Sequence, residues 1–137
     1  RLNALKRGYN KALNSTTSDI YNIPVEEYYF NGLSKINSKD YIGAIAEFTS
    51  AIELNPYDYK IHYFRASAFF LNMDYRKVIE GSTKTIELKP RYANAYVQRG
   101  IAKSILKDLS GACNDWEKAV SVGDTTLAID LIKENCN

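Results

Sequence analysis

The sequence predicts an all-α chain of antiparallel helix pairs recurring every 34 residues. Three observations carry this. Pro56 and Pro90 stand 34 residues apart, closing the matching phrases Ala-Ile-Glu-Leu-Asn-Pro and Thr-Ile-Glu-Leu-Lys-Pro. Asp40, Asp74 and Asp108 recur at the same step, each before a large residue, Tyr41, Tyr75 and Leu109. Between these markers the apolar residues fall three and four apart, as on one face of a helix, and strand alternation is absent.

Further series share the register: Ala44, Val78 and Ala112; Ile52, Ile86 and Val120; the small Gly32, Ala66 and Gly100; and the flat rings Tyr28, His62 and Tyr96. The helices predicted are 25–37 and 41–54, then 59–71 and 75–88, then 93–105 and 109–121. Each Asp of the recurring series precedes the second helix of a pair, where its carboxylate accepts from free amides of the first turn. The domain plan follows: 1–24 is an amphipathic helix and linker, 25–124 holds the repeats (25–58, 59–92, 93–124), and 125–137 is a capping helix. In the first segment Leu2, Leu5, Tyr9, Ala12 and Leu13 share a helical face without the repeat register, which fits an N-terminal cap. In the last, Leu127, Ala128, Leu131 and Ile132 follow Asp124 at helical spacing. An end repeat would otherwise leave an apolar face bare.

At 137 residues the chain can bury one core. A net charge of +2, with basic residues scattered in pairs such as Arg76-Lys77, argues against nucleic acid as a partner. No apolar run reaches the roughly 18–20 residues of a bilayer span, and no signal-peptide core opens the chain. Beginning at Arg1 without methionine, the chain reads as a fragment or processed product, so its compartment stays open.

A 34-residue helix–turn–helix with small, ring and proline residues at these places resembles the tetratricopeptide repeat. The resemblance spans Val25 to Asp124. The first copy carries Tyr28, Gly32, Ala44, Phe48, Ala51 and Pro56, departing at Asn31 and Lys35. The third keeps Tyr96, Gly100, Ala112, Trp116 and Ala119. The second is the loosest, with Val78, Ser82 and Thr85 where the family usually has alanine, an aromatic and alanine. The resemblance implies a right-handed α-solenoid, a tetratricopeptide-like superhelix whose first helices line a concave groove. Small residues let paired helices approach, and Phe48 and Trp116 fill the space between layers.

No catalytic site is expected, and no metal or cofactor. His62 is the one histidine and sits where the other copies have tyrosine, so it reads as a core ring. The glycines are dispersed, not gathered into a phosphate loop. Cys113 and Cys136 leave two readings open. They are either two free thiols or a disulfide that pins the cap and implies an oxidising, extracytoplasmic compartment rather than the cytoplasm.

Placing the sequence on the resembled plan turns Tyr29, Leu33, Ile36, Tyr63, Ser67, Phe70, Val97, Ile101 and Ser104 toward the groove, with Phe30, Phe64 and Gln98 beside them. That surface is apolar and aromatic. The function expected is a non-catalytic protein–protein interaction module that takes a partner's apolar or amphipathic segment. The alternative is a structural module that builds oligomers by self-association. One subclass of the family clamps acidic chaperone C-termini with lysine, asparagine and arginine; those places hold Tyr29, Leu33, Phe64, Asn94 and Gln98 here. Acidic chaperone tails are therefore expected to be disfavoured as partners.

Overall fold

The computed structural model describes residues 24–123 and 126–137. Among them are seven helices: α1 (Val25–Asn37), α2 (Tyr41–Leu54), α3 (Tyr59–Leu71), α4 (Tyr75–Leu88), α5 (Ala93–Ile105), α6 (Leu109–Val122) and α7 (Thr126–Asn135). No strand forms among the described residues. The expected N-terminal amphipathic helix and the Asp124 cap lie outside them.

The 34-residue period shows first in the turns inside each pair. Asp40, Asp74 and Asp108 cap α2, α4 and α6 by accepting from the backbone N–H of Gly43, Lys77 and Gly111 at 2.9, 3.4 and 2.9 Å. The residue before each Asp has a left-handed backbone, with φ of 64° at Lys39, 63° at Met73 and 73° at Lys107. In the first turn the Asp40 N–H donates to Lys35 O and the Lys39 N–H to Ile36 O, and both other turns repeat the pattern. This is a Schellman closure, which satisfies the carbonyls at the end of a helix. It reverses the chain in three residues and lays the pair antiparallel.

The described residues fall into two compact units, divided between Tyr57 and Asp58. In the first, α1 packs on α2, and Ala44, Phe48 and Ala51 are fully buried. Gly32 makes the approach close, since a Cβ there would lie 2.5 Å from Phe48 Cε1. In the second unit α3 packs on α4, α4 on α5, α5 on α6 and α6 on α7. Trp116 lies in a core with Tyr96, Val97, Ala112, Ala119 and Ala128. A Cβ on Gly100 would meet Trp116 Cδ1 at 2.7 Å, and one on Gly81 would meet the Ala66 Cβ at 2.9 Å.

Candidate peptide-binding site

Helices α3 and α5 place four of the groove residues in one cavity of the second unit. Tyr63 and Phe70 come from α3 and Val97 and Ile101 from α5, joined by Asn94, Gln98 and Leu127. The first four follow helical spacing, seven apart on α3 and four apart on α5, so each pair shares a face. The cavity is open and measures about 240 Å³. That is below the roughly 300–1,000 Å³ typical of cofactor and small-molecule sites, so it suits a side chain or two of a longer ligand.

Aromatic edges surround Tyr63. Tyr63 meets the rings of Phe64 at 5.3 Å and Tyr92 at 5.1 Å, and Tyr92 meets Tyr59 at 5.1 Å, all edge-on. Edge-to-face contact fixes ring orientation and adds to the gain from burial. Burial, then the neighbouring Tyr92 hydroxyl, pushes the Tyr63 phenol above its usual pKa, opposed by a hydrogen bond with Ser67.

Ser67 belongs to a polar chain behind the apolar wall. The Ser82 hydroxyl donates to Gln98 Oε1 at 2.9 Å, and Gln98 Nε2 donates to the Ser67 hydroxyl at 2.8 Å. The chain joins α4, α5 and α3 and holds the Gln98 amide at the cavity. Ser82, where the family usually has an aromatic, is fully buried. Its hydroxyl has a partner one helix away, which local sequence does not reveal. Below it Asp115, itself buried, takes a two-pronged contact from Arg99 at 2.9 and 2.7 Å and a third from Lys103 Nζ at 3.0 Å. Arg99 also donates to Thr83 at 3.2 Å. Neither network was foreseen from sequence, because its contacts join residues twelve or more positions apart on different helices.

Tyr29, Leu33 and Ile36 belong to the other unit, on α1, where all are half-buried and Tyr29 meets the rings of Phe30 at 5.1 Å and Phe48 at 6.2 Å. Ser104 turns its hydroxyl back to Ile101 O at 2.9 Å. Leu127, from the capping helix, was missed as a wall of the cavity. His62 is buried on α3. Among the described residues no group of His, Cys, Asp and Glu could hold a metal ion, and no helix is long and apolar enough to cross a membrane. Cys113 of α6 and Cys136, just beyond α7, form a disulfide.

No family model matches the chain. RNA polymerase II-associated protein 3 of Xenopus tropicalis is 36% identical over 91 residues, which is 66% of this chain but only 14% of that protein. The first tetratricopeptide domain of Spaghetti (RPAP3), solved with the HSP90 peptide SRMEEVD, superposes with a TM-score of 0.77 at 22% identity, covering 80% of this chain and 88% of that one. The second such domain of human RPAP3, in complex with the HSP70 peptide SGPTIEEVD, gives a TM-score of 0.76 at 20% identity, covering 83% and 99%. With the 34-residue register and the helix pairs, these matches show that the chain has the tetratricopeptide repeat fold.

The same matches correct the expectation about acidic chaperone tails. Domains of this fold are solved with such peptides, so tails of that class are not disfavoured by the fold. The expectation weighed the missing cations and asparagine matches at Tyr29, Leu33, Phe64, Asn94 and Gln98. The peptides named carry Met, Ile and Val as well as carboxylates, and an apolar wall has affinity for those side chains. Amides such as Asn94 and Gln98 can also donate hydrogen bonds to a carboxylate.

Proposed function

We propose that the chain is a non-catalytic interaction module that binds a peptide segment of a partner protein at the cavity between α3 and α5. The working units on this reading are the repeats 25–58, 59–92 and 93–124, capped by 125–137. The observation that carries it is the cavity itself. Tyr63, Phe70, Val97 and Ile101 offer an apolar wall, and Asn94 and Gln98 offer amide donors and acceptors beside it. A peptide with an apolar side chain next to polar backbone or carboxylate groups satisfies both. The chaperone-tail peptides bound by its structural neighbours meet that description and serve as the first probes.

The test is fluorescence anisotropy with labelled SRMEEVD, comparing the native chain with Tyr63→Lys and with Leu106→Lys, an exposed residue outside the cavity lining. Affinity should fall about tenfold or more in Tyr63→Lys and hold in Leu106→Lys, as for loss of a central contact against a peripheral one. Equal affinity in all three would remove the cavity from the reading. Absence of saturable binding by SRMEEVD and SGPTIEEVD would remove this class of peptide.

A further inference from the structure

The cavity has one wall that the repeats do not supply. Leu127 comes from α7, a ten-residue helix with one buried residue, Ala128, and with Leu131 and Ile132 packed half-buried on the core. A helix this short has little stability of its own. Its far end is fastened to α6 by the disulfide between Cys113 and Cys136, across a sequence separation of 23 and a Cα–Cα distance of 5.9 Å. One end of the same helix therefore lines the peptide site while the other is held covalently.

The bond is also within reach of solvent. Cys113 and Cys136 line an open cavity of about 390 Å³ with Leu109, Glu117, Ile132 and Asn135. Neither cysteine is fully buried. A small thiol can enter and attack either sulfur, whereas a disulfide sealed in a core would resist it.

We propose that the Cys113–Cys136 disulfide is a redox latch on α7 and, through Leu127, on the peptide site, an inference that rests on the function proposed above. In the oxidised chain α7 is held on α6 and the Leu127 wall stands. A dithiol reductant opens the latch by exchange. Its first thiolate attacks one sulfur to form a mixed disulfide and expels the other cysteine as a thiolate, which takes up a proton. The second thiol of the reductant then displaces the remaining cysteine. Two electrons and two protons pass to the chain, which ends with two thiols, and the reductant ends as its own disulfide. Held by Ala128, Leu131 and Ile132 alone, α7 opens far more often, and the site loses a wall.

Two measurements test this on the whole chain, oxidised, reduced with dithiothreitol, and as Cys136→Ser. Amide hydrogen exchange over 127–135 reads the latch without any ligand. Closing a loop of this length predicts exchange faster by on the order of 100-fold in the reduced and Cys136→Ser forms, with α3 and α4 unchanged. Anisotropy with labelled SRMEEVD reads the site, and binding should weaken about fivefold or more in the same two forms, as for loss of one wall contact. Unchanged exchange over α7 would overturn the latch whatever the peptide does. Faster exchange with unaltered affinity would overturn its link to the site. If the oxidised chain does not bind the peptide, the proposed function fails on its own account while the exchange result still decides the latch.

Discussion

Lys39, Met73 and Lys107 each adopt a left-handed backbone, which disfavours residues with a Cβ by roughly 1–2 kcal/mol. Met73 is 73% exposed, so its side chain contributes little in exchange. Met73→Gly should raise stability by about 1 kcal/mol, seen as a higher melting temperature. The opposite holds at Gly100, where an added methyl would press on Trp116 Nε1 and stand 2.7 Å from its Cδ1. Gly100→Ala should lower stability by about 2 kcal/mol in denaturant unfolding, as overpacking of a filled core does. The small residues at Gly32 and Gly100 could be read from sequence because their period matched that of the rings they face. The left-handed positions could not, since Lys and Met carry no signature of the turn they close. Tyr63 gives a pH prediction. Its phenol titrates higher folded than unfolded, so the neutral form stabilises the fold below about pH 10, and that stability is lost as pH rises through the folded value. Melting temperature should fall more steeply above pH 10 in the native chain than in Tyr63→Phe.

At the scale of elements, helix bounds were legible almost to the residue, because Asp caps and prolines punctuate every pair. The structure extends only the sixth helix, to Val122. The second repeat reads as the weakest from sequence, since Ser82 and Thr85 are hydroxyls at core positions. Both are satisfied, Thr85 by donating to Gly81 O at 2.8 Å within α4 and Ser82 by donating to Gln98 across to α5. A period can show that a position is buried but not which distant partner meets its polar atoms. The ion cluster around Asp115 is the clearest case, tying α5 to α6, while Arg99 reaches Thr83 on α4. Removing the carboxylate leaves two partly buried cations facing each other. Asp115→Ala should cost about 3 kcal/mol, measured by urea unfolding.

For the whole molecule, sequence revealed the fold class and the repeat period, because a solenoid writes its fold into register. It did not give the partner class. The exclusion of acidic tails rested on five side chains judged one at a time, whereas domains of this fold are solved with such peptides. Part of the cavity was reached through the family resemblance, which turned Tyr63, Phe70, Val97 and Ile101 toward the groove. Leu127 was not, because the capping helix carries no repeat register and its contact with the cavity exists only after folding. The most direct test of peptide binding is a two-dimensional amide NMR titration of the oxidised chain with SRMEEVD. The account predicts saturable shifts concentrated at 63–70, 94–101 and Leu127. Shifts centred instead on the exposed residues Leu71, Met73 and Leu106, or none at saturating peptide, would contradict it.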